Sequence, residues 1–108
     1  MADAYGIIGT AVRPVVTTEA EWIVCPASTE YIGTVRITNQ HSASVDVSLA
    51  HTAGSGAATG EDWDLYEYEL AVGNVLDLTM EMRAGETLRI KASVADVISF
   101  KYSGMIKT

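Results

Sequence analysis

The chain contains little cysteine and little proline. Cys25 is the single cysteine among 108 residues, so no disulfide can form within the chain. A free cysteine usually behaves as a small apolar side chain, and we expect Cys25 to be buried. Two prolines are too few for a proline-rich, low-complexity segment. Because 48% of the residues are apolar and the length suits one domain, we expect a single hydrophobic core to hold the chain together.

Long apolar runs are also absent. No stretch approaches the ~18–20 apolar residues that span a bilayer, so we expect no membrane partner. The first residues lack the positive charge and the apolar run of a signal peptide. We therefore expect a protein that is made in a cytosol and either stays there or is assembled there into something larger.

Basic residues are missing from the middle of the chain. No lysine or arginine lies between Arg36 and Arg83, whereas eight acidic residues do. The formal net charge is −7, and five of the seven basic residues lie from Arg83 onward. An acidic protein repels phosphate groups, so we expect no nucleic-acid partner. The acidic stretch itself predicts a solvated surface.

Helical spacing of apolar residues is absent, and alternating patterns fill the chain instead. Side chains of a strand alternate between two faces, so a period of two predicts a half-buried strand. Short strands separated by polar turns predict an all-β fold, an antiparallel β-sandwich or jelly roll of seven to eight strands. The clearest predicted strands cover residues 20–24, 30–38, 44–50, 63–70, 75–80, 84–92 and the run from residue 98.

The N-terminal segment leaves two alternatives open. Residues 7–18 are rich in β-branched side chains, but Pro14 interrupts them and cannot donate a hydrogen bond to a sheet. Residues 1–18 are therefore either an edge strand or an arm that adds a strand to a neighbour's sheet, and residues 19–108 form one sandwich domain. In the arm alternative, Pro14, Val15 and Val16 are candidate contacts with a partner.

One predicted strand has both a core face and a candidate contact face. In Ala-Gly-Glu-Thr-Leu-Arg-Ile-Lys-Ala, residues 84–92, a glycine turn leads into a strand whose apolar residues, from Leu88 onward, share the buried face. The other face, with Thr87, Arg89 and Lys91, is predicted to be exposed to solvent. Because the protein is acidic elsewhere, we treat Arg89 and Lys91 as candidate contacts with an acidic partner.

Groups arranged for catalysis are not apparent. Cys25 has no basic neighbour in sequence, and no serine lies in the setting of an activated nucleophile. His41 and His51 have no cysteine or histidine at metal-binding spacing, so we expect ordinary histidines at the rim of the fold. The sequence therefore predicts a protein without enzymatic activity, bound metal or cofactor.

Acidic and aromatic residues alternate after a small, glycine-rich segment, residues 52–60, that predicts a surface loop. The acidic run at residues 61–64 lacks the spacing of a calcium loop and predicts a solvated rim. Trp63, among these acids, is a candidate exposed contact. Tyr66 and Tyr68 share a predicted apolar face, and we expect them to pack in the core and its rim.

Five stretches carry recognisable turn and strand motifs: residues 25–29, which read Cys-Pro-Ala-Ser-Thr, residues 35–39, which end on Asn, and residues 45–49, 65–70 and 84–93. Their order resembles that of a group of small bacteriophage virion proteins. Those proteins have a short strand ending in a Val-Pro-Ala-Gly-Thr-like turn, a strand closing on Asn, a Val-rich strand, a Tyr-rich strand and an Ala-Gly-Asp/Glu-x-Leu/Ile-Arg/Lys-Val turn and strand. Cys25 and Ser28 depart from that pattern, which usually has Val and Gly there, and residues 1–18 lie outside it.

This resemblance implies a structural protein of a phage particle. The first hypothesis is a capsid decoration (cement) protein, assembled in the host cytoplasm, that binds the major capsid protein or another virion protein and stabilises the head. Symmetric self-association, for instance as a trimer, would match the local axes of a shell. The alternative is a carbohydrate-binding β-sandwich module associated with the neck, tail or fibre, which would use Trp63 and the acids around it.

Overall fold

A computed structural model describes residues 4–54 and 56–108, which form an all-β domain. Along the described residues the strands are β1 (Ala4–Val12), β2 (Ala20–Val24), β3 (Glu30–Asn39), β4 (Val45–Thr52), β5 (Trp63–Leu70), β6 (Val75–Met82), β7 (Thr87–Ala92) and β8 (Ile98–Lys107). Sheet A has the order β1-β8-β3-β6, and sheet B has the order β2-β7-β4-β5. Residues 1–3 of the predicted N-terminal segment and residue 55 of the predicted loop lie outside the described part.

The order of the strands defines a jelly roll. Consecutive strands lie in different sheets, except β4 and β5, which pair with each other, and neighbouring strands run antiparallel. Two Greek keys that close into a double sheet produce such an eight-stranded order. The predicted antiparallel sandwich or jelly roll is therefore confirmed. No helix in the described part of the chain is long and apolar enough to cross a membrane.

The N-terminal strand β1 is an edge strand of sheet A. It pairs with β8, with Ala4 opposite Ile106 and, after a register shift, Val12 opposite Phe100. Residues 13–19 then lead from sheet A to β2 in sheet B. Residues 4–12 thus form part of the sandwich, as an edge strand paired with β8.

The core lies between the two sheets and follows the alternation that the sequence shows. Val35 and Ile37 of β3 and Phe100 and Tyr102 of β8 are completely buried. Each such apolar side chain contributes about 1.5–3 kcal/mol relative to an exposed position. Cys25 is buried at the rim of this core, as predicted, and burial raises the pKa of its thiol.

A buried asparagine joins the loops at one end of the sandwich. Asn39, the last residue of β3, is 2% exposed. Its Nδ2 lies within hydrogen-bonding distance of three carbonyl oxygens, those of Ala43 at 3.0 Å, Leu70 at 2.9 Å and Ala71 at 3.2 Å. Its Oδ1 accepts the His41 N–H at 2.8 Å. The amide thereby ties the end of β3 to the end of β5.

Candidate binding surfaces

The outer face of sheet A carries an apolar patch where a two-layer fold normally has polar residues. Tyr5, Met105 and Ile32 lie opposite one another in a row across β1, β8 and β3. Ile7 lies two residues from Tyr5 on the same face of β1. The exposed fractions are 81% for Tyr5, 58% for Ile7, 38% for Met105 and 37% for Ile32. These four residues, the sheet A patch, form a contiguous apolar surface of the kind that marks interaction sites.

The sheet A patch ends at an uncharged strand edge. β1 has the sequence AYGIIGTAV and one neighbour in its sheet, β8. Edge strands present unpaired N–H and C=O groups, and proteins usually protect them with charged residues or proline. β1 contains neither between Ala4 and Val12. Its free edge can therefore accept a strand from a partner.

The predicted contacts Pro14, Val15 and Val16 lie in the loop that follows β1. They line an apolar groove together with Trp22. Val15 is the most exposed of them, at 73%. The indole of Trp22 donates a hydrogen bond to the Thr10 carbonyl at 2.8 Å, which fixes one wall of the groove. The role of these residues as partner contacts stays a prediction.

The polar face of β7 is largely covered, which corrects the prediction that it is open to solvent. Thr87 is completely buried. Arg89 Nε–H donates to Glu19 Oε2, which also accepts the Ala58 N–H at 2.9 Å. Burial raises the pKa of Glu19, but the bonds from Ala58 and Arg89 outweigh it, so the pKa lies below its usual value. Glu19 lies in the segment before β2, and Ala58 lies in the segment between β4 and β5. Because β7 lies between β2 and β4 in sheet B, both segments can reach across it.

These contacts give Arg89 an acidic partner within the chain. Lys91 is more open, with 31% of its side chain exposed. Its Nζ lies 3.6 Å from Glu67 Oε1 and 5.8 Å from the centre of the Tyr66 ring. An exposed ion pair contributes only about 0–1 kcal/mol, so Lys91 can exchange Glu67 for another group at little cost. Contact of Arg89 or Lys91 with an outside partner stays a prediction.

Two aromatic rings stand together on the outer face of sheet B. The ring centres of Trp63 and Tyr66 are 5.2 Å apart, and their planes meet at 63°. Gly60 lies beside them and completes a shallow depression. Tyr66 is 58% exposed, so the prediction that it packs in the core and its rim is wrong. Tyr68 keeps the predicted face, opposite the core residue Val47, and is 47% exposed there.

A β-bulge in β5 explains the position of Tyr66. The register between β4 and β5 shifts between Leu65 and Tyr68, so Ser48 of β4 faces both Tyr66 and Glu67. Glu67 has a φ of 46°, and its N–H donates to Ser48 Oγ at 2.8 Å. One extra residue reverses the alternation of side chains. Leu65 therefore packs against the core, and Tyr66 points outward.

The acidic run at residues 61–64 begins in a turn, at residues 61–62, and continues into the first two residues of β5. Asp62 Oδ2 accepts the Thr59 N–H at 2.8 Å, and the Asp62 carbonyl accepts the His51 N–H at 2.9 Å. These bonds place Trp63 at the start of β5. Within residues 4–54 and 56–108, no three His, Cys, Asp or Glu side chains gather as a metal site would require.

Comparison with known proteins gives one structural similarity to report. No protein-family model matches the chain, and no curated protein matches it. A structure of infectious bursal disease virus, strain Gx, is similar over 98% of this chain, at 10% sequence identity and a TM-score of 0.48. The matched region is 32% of that viral chain, so this chain spans about a third of its length.

Proposed function

We propose that this protein is a structural protein of a virus particle, and specifically a phage capsid decoration protein that acts by binding alone. The observation that carries the proposal is the sheet A patch, which adjoins the uncharged free edge of β1. Two further observations support it. The segments resemble those of small phage virion proteins, and jelly rolls are common in viral capsids, although they also occur in lectins and cupins.

The proposed mechanism needs no catalytic group. A protein that binds the assembled shell, and not its dissociated subunits, stabilises the shell by mass action. At a free concentration 100 times the dissociation constant, this linkage amounts to about 2.7 kcal/mol for each occupied site. Many copies on one shell would repeat that contribution at every site.

The geometry suggests how the contact forms. The partner is the major capsid protein, which would lay a strand along β1 and cover the sheet A patch with apolar side chains. Main-chain hydrogen bonds along β1 would supply affinity, and the patch would supply specificity. The rest of the surface carries most of the net charge of −7 and would keep unbound copies apart in solution.

Polar substitution within the patch provides a test. The double variant Tyr5→Ser, Ile7→Asn is expected to bind particles that lack this protein at least about tenfold more weakly, because it removes apolar area from the contact. Cosedimentation with purified particles measures the binding. Thr79→Asn is the matched control, since Thr79 is exposed in the same row of the outer face as Ile7, at the opposite edge of sheet A. Equal binding of the double variant and the control would contradict the proposal.

A second candidate function is a carbohydrate-binding module on the neck, tail or fibre. The pair of half-buried Trp63 and exposed Tyr66 favours it, because aromatic rings beside polar groups are common in small-molecule sites. The two functions differ in the surface they use. Trp63→Ala would leave particle binding unchanged if the protein decorates a shell through sheet A.

A further inference from the structure

The outer face of sheet B combines an aromatic surface with a polar cleft. The cleft, of about 310 Å³, is lined by Thr17, Asp46, Ser48, Glu67, Lys91 and Ser93. Beside it lies the depression formed by Gly60, Trp63 and Tyr66. Lys91 belongs to the cleft, and its Nζ lies 5.8 Å from the centre of the Tyr66 ring, so the two parts adjoin. A molecule bound here would meet aromatic rings on one side and hydrogen-bonding groups on the other.

The local structure holds these groups in place before any ligand arrives. The bulge turns Tyr66 outward, with Glu67 in a left-handed conformation that non-glycine residues seldom adopt. A residue in such a strained backbone conformation is tolerated where the surrounding structure holds it in place. Residues of this kind are concentrated at functional sites. The turn capped by Asp62 fixes Trp63 in the same way. Prior ordering lowers the entropy that binding would otherwise cost.

From this juxtaposition we infer that the surface formed by Trp63, Tyr66 and the adjoining polar cleft binds a neutral saccharide, an inference that rests on the second candidate function and names its ligand class. A sugar ring has an apolar C–H face and a rim of hydroxyl groups. The C–H face would pack against the Trp63 and Tyr66 rings. The carboxylates of Asp46 and Glu67 would accept hydrogen bonds from hydroxyl groups, and the Lys91 ammonium would donate one.

Charge selects a neutral sugar over an acidic one. Asp46 and Glu67 are two carboxylates against the one ammonium group of Lys91, and the whole chain carries a net charge of −7. A sialylated or sulfated sugar would be repelled by this field. The apolar part of the surface consists of two rings, which is small beside the roughly 800 Å² per partner of a stable protein–protein interface. A saccharide therefore fits better than a protein partner.

A glycan array that holds neutral and acidic glycans tests the inference, followed by titration of the full chain with the best ligand. We expect binding of neutral glycans, with Trp63→Ala and Tyr66→Ala each weakening it at least about tenfold. Tyr68→Ala is the matched control, because Tyr68 is an exposed tyrosine of β5 outside the depression. Its dissociation constant should stay within about twofold of the unsubstituted chain.

A steric variant keeps the test decisive if an aromatic variant unfolds. A Cβ at Gly60 would meet no atom within 4 Å, so Gly60→Leu should fold and project into the depression. We expect it to abolish binding with an unchanged circular dichroism spectrum. Failure to bind any neutral glycan, a preference for acidic glycans, or full binding by folded Gly60→Leu would overturn the inference. Particle binding by the same variants reports separately on the decoration role, which uses sheet A.

Discussion

Gly33→Ala is expected to lower the free energy of unfolding by about 3 kcal/mol or more, or to prevent folding. β3 and β8 approach closely where Gly33 lies opposite Gly104. A Cβ at Gly33 would lie 2.0 Å from the Ser103 carbonyl oxygen and 2.7 Å from the Gly104 Cα. Both atoms belong to the backbone of β8, a central strand of sheet A. The steric overlap can therefore be relieved only if β3 and β8 move apart.

The same row of the sheet offers a matched control. Gly6 of β1 lies opposite Gly104 on the other side, and a Cβ there would meet no atom within 4 Å. Gly6→Ala should leave stability unchanged or raise it by up to about 1 kcal/mol, because alanine has less freedom in the unfolded chain. Chemical denaturation of the two variants measures the difference. Equal stability would contradict the described pairing of β3 with β8.

Asn39→Asp is expected to destabilise the fold by about 3–4 kcal/mol at neutral pH. The substitution replaces an amide that faces three carbonyl oxygens with a carboxylate that has no hydrogen to donate. The carbonyls of Leu70 and Ala71 would lose their donor, and a negative charge would be buried among acceptors. A protonated carboxyl group regains one donor, so the loss should shrink in acid.

Asn74→Asp provides the matched control for that change. Asn74 is exposed in the turn between β5 and β6, and its side chain has no part in the bonds of the Asn39 amide. The same change of charge there should alter stability by no more than about 0.5 kcal/mol. Thermal unfolding at neutral and acidic pH checks both variants. A small effect of Asn39→Asp at neutral pH would show that the amide does not join β3 to β5.

Strand positions could be predicted from the sequence because they depend on local alternation. The predicted strand at residues 63–70 has the bounds of β5, and the predicted strand at residues 30–38 differs from β3 by one residue. Turn residues also follow local rules. Gly73 and Gly85 have positive φ angles, which glycine adopts without the steric cost of a side chain.

Features that depend on a partner strand could not be predicted in this way. A bulge in β5 exists only relative to β4, so nothing in the local pattern showed that Tyr66 would point outward. A register shift in β2 similarly accompanies the burial of Ile23, and that shift exists only relative to β7. Arg89 was predicted to be exposed because the covering residues, Glu19 and Ala58, are distant in sequence. The Leu70 and Ala71 carbonyls that face the Asn39 amide are likewise distant in sequence.

The candidate binding surfaces could be predicted from the sequence only in part. Trp63 was singled out from its acidic neighbours, but it is half-buried and its pairing with Tyr66 was not predicted. The sheet A patch combines Tyr5, Ile7, Ile32 and Met105, which come from three strands. Ile32 is an apolar residue among the polar residues Thr34 and Arg36 that share its strand face, and that departure is the signal in the sequence. Strand order, which brings the four together, is a property of the whole fold.

The copy number of this protein on purified particles tests the decoration role most directly. Quantitative mass spectrometry against the major capsid protein gives that number. The account predicts hundreds of copies per particle, because decoration of a shell repeats at its lattice sites. About a dozen copies or fewer would place the protein at a neck, tail or fibre and would contradict the account.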